Sequence, residues 1–362
     1  MGTSTSGASS DALPGVSYVM PVLNDVTHVR AAVASLLNQD YPGPFDVSIA
    51  VGPSIDGTNE LVDELSRADS RIHVLENPVG STPSGLNIAI TASAYPIVVR
   101  VDAHSVLPPD YTRIAVETIQ RTGAGNVGGI MDAKGTTPFE DAVAAAYGSR
   151  VGLGGTPHHV GGKEGRADTV YLGVFRRDVL ERVGMFDERI KRGQDWELNR
   201  RIRSSGSGVW FTPELRVVYR PRPSLSRLAR QFFSTGMWRG ELSRRFPSPN
   251  TLRYFAPPVM VLAVTVGLLL GLVGLVQLAI GTPAFALWGF AIPALYALIV
   301  IVAAFALRGD LSPRARCWLL VVLPCIHFCW GIGFIPGFLL LASNIAAQKY
   351  EKGSGSSVHP AP

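Results

Sequence analysis

The chain has 362 residues, 47% hydrophobic and 17% charged, with a formal net charge of +5 and three cysteines. Cys317, Cys325 and Cys329 all lie near the C-terminal end, so neither a disulfide framework nor a thiolate metal site is available to the residues before them. The positive balance comes largely from Arg216, Arg220, Arg222, Arg227, Arg230, Arg239, Arg244, Arg245 and Arg253, which stand directly ahead of a long apolar run. Basic residues beside a span mark the membrane surface, which removes the case for a nucleic-acid partner.

Residues 1–14 are rich in Gly, Ser and Thr, with neither a basic start nor an apolar core, and read as a disordered lead-in without a signal peptide. Val16 to Pro21 is a β-rich run, followed by Asn24 as a cap and a helical face of Val29, Val33, Leu36 and Leu37. The same order recurs at 47–51 before 56–65, at 72–75 before 83–92 and at 97–101 before 109–119. Four β/α units in succession predict an α/β head with a largely parallel sheet. Ligands of such sheets sit outside the carboxyl ends of the strands, which directs attention to the polar residues there.

Two strand or turn ends carry chemistry. Ile97 to Val101 runs into Asp102-Ala103-His104, and in extended geometry residues two apart face one side, so both side chains would grip one cation or its phosphates. Carboxylate suits Mg²⁺ or Mn²⁺ and imidazole tilts the choice to Mn²⁺; the alternative is that Asp102 caps a turn and His104 is a surface residue. Gly193-Gln194-Asp195 opens a strongly helical segment, where the helix dipole favours the charged form wanted in a base. Glu197 competes for that role, and an ordinary N-terminal carboxylate is the other reading of Asp195.

The stretch Gly154 to Gly162 has too many glycines for regular structure and holds His158 and His159, as expected of a mobile loop. No third protein ligand has the spacing for zinc. Arg230 to Arg239 interleaves arginines with Phe232, Phe233 and Trp238, the pattern of an amphipathic helix on a membrane surface. Three apolar runs follow, 259–280, 284–307 and 317–342, each longer than the roughly 20 residues a helix needs to cross a bilayer. None contains Asp, Glu, Lys or Arg, which argues against a pump or channel. Gly281-Thr282-Pro283 is uncharged, whereas Arg308, Arg314 and Arg316 separate the second and third runs, so the expected path is in, out, in, with a cytosolic head on a plasma membrane. Pro324, His327, Gly331, Gly333, Pro336 and Gly337 leave the third run two readings, a single crossing or a re-entrant hairpin. The organisation expected is a head over 15–221, interfacial helices over 222–254, a membrane region over 255–345 and a flexible tail over 346–362.

Val19 to Asn24, Ser54-Ile-Asp-Gly-Thr58, Asp102-Ala-His104 and Gln194-Asp195 stand in the order and at the intervals of four family motifs. On these residues the head resembles the inverting nucleotide-sugar glycosyltransferases of family 2, with the Rossmann-like GT-A fold. Arg100 to Ser105, Tyr171 to Arg177 and the three-run tail look most similar to membrane-bound bacterial exopolysaccharide enzymes of the succinoglycan type. The resemblance implies Asp195 as catalytic base, Asp102 and His104 as ligands of Mn²⁺ or Mg²⁺, and Pro21, Asn24, Asp56, Asn87, Arg100 and Asp102 around the nucleotide sugar. It also implies an acceptor and diphosphate side formed by His158, His159, Gln194, Trp196, Arg230, Gln231, Trp238 and Arg239. The expected reaction adds one sugar from a nucleotide-diphospho-sugar to a polyprenyl-pyrophosphate-linked saccharide. Transfer to polyprenyl phosphate itself is one rival; an inactive membrane scaffold is another. This sequence departs from the family pattern at Val51, where no acidic residue ends the second strand, at His104, which replaces an Asp, and at Gln194, which replaces a Glu.

Overall fold

The computed structural model describes residues 13–247, 249–307 and 309–339, with the side chains of residues 249 and 250 left aside. Most of the expected lead-in 1–14, Arg308, the end of the third apolar run and the tail 346–362 lie outside the described residues. The elements in order are β1 (Val16–Val22), α1 (Val29–Leu37), β2 (Phe45–Val51), α2 (Thr58–Ala68), β3 (Ile72–Glu76), α3 (Thr82–Ala92), β4 (Ile97–Arg100), α4 (Tyr111–Thr122) and β5 (Asn126–Ala133). Then come α5 (Pro138–Tyr147), α6 (Arg150–Leu153), α7 (Pro157–Val160), β6 (Gly165–Arg166), β7 (Tyr171–Arg176), α8 (Arg177–Val183), α9 (Gln194–Ser204) and β8 (Val209–Tyr219). The chain continues with α10 (Leu225–Arg245), α11 (Ala256–Ala279), α12 (Ala291–Ala306) and α13 (Pro313–Phe338). They form two compact units, one of residues up to Asp132 with Gly161–Tyr219, the other of Ala133–Val160 with the chain from Arg220.

The first unit is a GT-A-like α/β domain whose eight-stranded sheet runs β3-β2-β1-β4-β7-β5-β8-β6. β3, β2, β1 and β4 are parallel. β7 then pairs antiparallel with both β4 and β5, so only one half of the sheet has the parallel order that the β/α repeats predicted. Side chains alternate across β1: Val16, Tyr18, Met20 and Val22 enter one hydrophobic layer and Val19 the other. The first layer is closed by Val29, Val33 and Leu36 of α1 and by Tyr111, Ala115 and Ile119 of α4. The second is closed by Leu86 and Ile90 of α3, Leu180 of α8, and Leu198 and Ile202 of α9. Each such fully buried side chain contributes about 1.5–3 kcal/mol. Gly85 lets α3 lie close on the strands, since a Cβ there would meet the Pro21 side chain at 2.9 Å.

The second unit holds three helical stretches long and apolar enough to cross a membrane: Thr251–Ala279, Phe285–Ala306 and Pro313–Phe338. Over its described residues the third run is one continuous helix to Phe338 with Pro324 and Pro336 inside it, without the break of a hairpin. α10 packs on α13 through two small-residue pairs, Gly236/Gly240 and Gly333/Gly337. A Cβ on Gly337 would collide with the Met237 carbonyl, and one on Gly240 with the Phe334 carbonyl. Gly at every fourth position lets helix backbones touch in this way. Gly337→Val therefore forces α10 and α13 apart at a cost of about 1–3 kcal/mol, the usual penalty for overpacking. The expected outcome is a lower thermal midpoint for the detergent-solubilised protein, with Gly155→Ala, at an exposed position where an added Cβ meets nothing nearer than the end of the Arg150 side chain at 3.9 Å, as the control for a change of glycine alone.

Candidate functional site

The strand order places β1 between β2 and β4, so successive connections leave β1 in opposite directions. The crevice at that reversal is where doubly wound sheets bind ligands. The loops after β1, β2 and β4 meet there, and they contain Asn24, Asp56, Asp102 and His104.

The loops after β1 and β2 are stitched together. Asn24 adopts a left-handed conformation with φ of +51°. Its Oδ1 accepts from the Ile55 N–H at 2.9 Å, and its own N–H donates to Ser54 Oγ at 3.0 Å. Asp56 accepts from the Val26 N–H at 3.2 Å, the Thr58 N–H at 3.1 Å and the Thr58 hydroxyl at 2.5 Å. The Thr58 hydroxyl leads in holding the Asp56 carboxyl below its ordinary pKa, with these backbone N–H groups adding to it. Both residues thus shape the crevice wall through loop geometry. Pro21, on β1, is partly buried beneath α3.

Arg100, the last residue of β4, is the hub of the site. Its side chain is 7% exposed; Nη2 donates to Asp102 Oδ1 at 2.9 Å and Nη1 donates to Asp195 Oδ1. Asp195 lies in the first turn of α9 and Asp102 just past β4, so one guanidinium joins the two carboxylates that the sequence had kept apart. Burial works against the charge of Arg100, and the Asp102 and Asp195 charges more than offset it, holding its pKa above the ordinary arginine value. One cation between two carboxylates leaves the cluster net negative. Tyr171 of β7 lies partly buried beside it, its phenol pushed well up by desolvation and then by the Asp102 charge.

The extended geometry expected for Asp102 and His104 is not found. β4 ends at Arg100, and the Ser105 N–H donates to the Asp102 carbonyl at 2.8 Å, turning the chain between them. His104 is half exposed and lies 3.4 Å from Asp25 Oδ2, whose other oxygen meets His28 Nδ1 at 2.5 Å. Asp25 thereby links the ends of β1 and β4 across the reversal. It was missed in the sequence, although its place directly after Asn24 at the end of β1 is the signal that would have found it. Among the described residues no three of His, Cys, Asp and Glu converge on one point. A hard divalent cation at a nucleotide site takes one or two carboxylates and completes its shell with phosphate and water. Asp102 fits that donor set: it is 20% exposed, no hydrogen bond within the described residues engages its Oδ2, and the cluster around it is net negative.

The other residues separate clearly. Glu197 is 4% exposed at its side chain and is held by Arg201 at 2.7 Å, a buried ion pair that leaves Asp195 alone in facing the crevice from the start of α9. Gln194 opens that helix, whereas Trp196 is only 6% exposed and belongs to the core. Asn87 donates to the Phe186 carbonyl at 2.9 Å and to Glu188 at 3.0 Å and accepts from the Phe186 N–H at 3.0 Å, so its amide fastens α3 to the segment before α9. His158, His159, Arg230, Gln231, Trp238 and Arg239 belong to the second unit. Within the glycine-rich stretch 154–162 the two histidines lie on the one-turn helix α7, and the residues on either side of that turn have no regular structure. Burial, and then the charge of Arg239, push the His159 pKa down to about 4. Arg239 and Arg253 lie over the same Tyr254 ring, at 4.4 and 5.0 Å from its centre. Gln231 accepts from Arg222 at 3.0 Å, and Arg230 is exposed.

With this geometry in hand, comparison with known proteins is informative. The family profile described as "Glycosyltransferase like family 2" matches residues 14–235. The succinoglycan biosynthesis protein ExoA of Rhizobium meliloti (strain 1021) is 30% identical over 331 residues, covering 90% of this chain and 96% of that protein. A glucuronosyltransferase of Methanococcus voltae, named for a dolichyl N-acetyl-α-D-glucosaminyl phosphate acceptor, is 23% identical over 240 residues, 64% of this chain and 74% of its own length. Among solved structures, the mannosyltransferase of Pyrobaculum calidifontis, in complex with GDP-Man and Mn²⁺, aligns over 90% of this chain and 89% of its own with a TM-score of 0.57 and 18% identity, a likeness of fold.

Removing Arg100 leaves Asp102 and Asp195 without their shared cation. Breaking a buried ion pair from one side costs about 3–5 kcal/mol, and the partial exposure of Asp195 puts this case at the lower end. Arg100→Gln is expected to lower the thermal midpoint markedly, whereas Arg100→Lys, which keeps the charge and loses the fork, lowers it less. Melting curves of the two purified variants check the order.

Proposed function

The chain belongs to the family 2 glycosyltransferases, and on that premise we propose that it moves one sugar from a nucleotide-diphospho-sugar to a lipid-linked saccharide at the membrane, with inversion at the anomeric carbon. The observation that carries this reading is the Asp102–Arg100–Asp195 cluster at the sheet's point of reversal. Asp195 takes the proton of the acceptor hydroxyl as that oxygen bonds to the anomeric carbon; the bond to the diphosphate oxygen breaks, and its electron pair leaves with the nucleoside diphosphate. Arg100 orients the Asp195 carboxylate from below, so the base needs no rearrangement to meet the hydroxyl. Asn24 and Asp56 hold the two loops against which the nucleotide lies. Asp102 would hold Mn²⁺ or Mg²⁺, which would supply positive charge to the departing diphosphate.

Three observations support the lipid-linked acceptor. The apolar helices keep the enzyme at a bilayer, to which a polyprenyl-linked acceptor is also confined. The Methanococcus voltae relative is named for an acceptor of that class. The second unit also supplies Arg230, Gln231, Trp238 and Arg239 on one helix, with His158 and His159, as groups suited to a lipid diphosphate. The basic residues before the first span support a catalytic unit on the cytosolic face of the plasma membrane. Polyprenyl phosphate as the acceptor remains the second reading, favoured by the same basic helix.

Purified protein is offered UDP-, GDP- and TDP-sugars with Mn²⁺ or Mg²⁺ and a bacterial lipid extract. The expected result is nucleotide release from one class of donor, suppressed by EDTA, with a single sugar added to an oligosaccharide that is already lipid-linked. An acid-labile product with one sugar directly on lipid phosphate would establish the second reading, and a ladder of long products would contradict single addition.

A further inference from the structure

α10 carries Arg227, Arg230, Arg239, Arg244 and Arg245 and so does not belong in hydrocarbon, where each charge at the bilayer centre costs about 2.5–3.5 kcal/mol. Yet α10 lies side by side with α13, the third helix long and apolar enough to cross. The two run in the same direction: Gly236 meets Trp330, Phe233 meets Gly333, Met237 meets Gly337, and Gly240 meets Phe334 and Phe338. Phe232 stacks on Trp330 with ring centres 6.2 Å apart. The C-terminal half of α13 is therefore at the level of a helix rich in arginine.

The N-terminal half is flanked in the same way. Trp318 packs edge-on against Phe139 of α5, whose first turn carries Glu140 and Asp141. His327 Nε2 lies 2.7 Å from the Val151 carbonyl of α6. A helix running along the membrane normal would draw all these polar segments into the bilayer with it. The other two apolar helices also meet α13 from one side. The apolar stretches Thr251–Ala279, with α11, and Phe285–Ala306, with α12, form an antiparallel pair, with Gly267 against Pro293 and Gly274 against Leu287, so the start of α11 and the end of α12 share a membrane face. The start of α11 touches α13 at Gly331 through the Pro257 carbonyl, and Arg316 of α13 donates to the Phe305 and Leu307 carbonyls at the end of α12, at 3.1 and 3.2 Å. These two contact points are about 22 Å apart along α13, at 1.5 Å per residue.

We propose that α13 does not cross the bilayer but lies along the leaflet on the α10 side, so that only α11 and α12 span. Its partner is the acyl and headgroup boundary of that leaflet, met by the exposed Val321 and Ile332, while other sides of the helix are covered by α5, α6 and α10. α12 crosses obliquely, leaning over α13 where the Tyr296 hydroxyl meets His327 Nδ1 at 3.1 Å. An even number of crossings returns the end of α13 to the face on which α10 lies, whereas three crossings would put it on the opposite face.

Full-length chains carrying alkaline phosphatase, active only outside the cytosol, or a fluorescent protein, fluorescent only inside, are compared in cells that also report retained transfer activity. Reporters are placed before Met1, within Gly281-Thr282-Pro283 and after Pro362. The expected result is the same side for the two terminal fusions and the opposite side for the internal one, with phosphatase after Pro362 roughly tenfold or more below phosphatase at the 281–283 turn. Opposite sides for the two terminal fusions would show that α13 crosses and overturn the proposal, as would an internal reporter on the same side as the N-terminal one.

Discussion

Everything in the catalytic unit converges on a buried arginine that two carboxylates share. Arg100 is placed by the shortest strand of the parallel half of the sheet, and its guanidinium fixes both the turn that follows β4 and the first turn of α9. A lone guanidinium at that depth would be strongly disfavoured, and two carboxylates without it would repel each other. The three side chains are therefore stable only together, and their common position is set by the order of strands around β1. The same constraint explains why Asp195 faces the crevice while Glu197, one half-turn on, is buried with Arg201.

The β/α alternation was legible because each strand is a short apolar run and each helix has a one-sided apolar face. The antiparallel β7 was not, since Tyr171 to Arg176 has no feature that fixes its direction; pairing with β4 and β5 decides that over long range. Within the site, residue types were readable and their partners were not. Asp102 and His104 appeared to act as a pair on the premise of a strand, but the turn at Asp102 separates them, and Asp25, 79 positions before His104 in sequence, takes the place beside it. Asn87 was expected beside the nucleotide sugar, whereas its amide bonds to Phe186, a contact that only the folded sheet brings about.

In the second unit, composition announced membrane helices and could not say which would cross. Length and hydropathy treat α11, α12 and α13 alike. What distinguishes α13 is its neighbours: an arginine-bearing helix locked to it by four glycines, and polar segments of α5 and α6 along the rest. The glycine pairs were visible in the sequence, but their spacing names no partner. A platform made in this way would hold the basic face of α10 at the depth of lipid phosphates, where the proposed acceptor carries its charge.

The central claim is that Asp195, held by Arg100, is the base of the transfer. The most direct measurement is steady-state nucleotide release by Asp195→Asn alongside equilibrium binding of the donor, because asparagine keeps the shape and can still accept from Arg100 but cannot take a proton. The account predicts donor binding close to that of the parent protein and turnover reduced by about 10²–10⁴-fold. Turnover left within a few-fold of the parent would contradict it and move the base elsewhere.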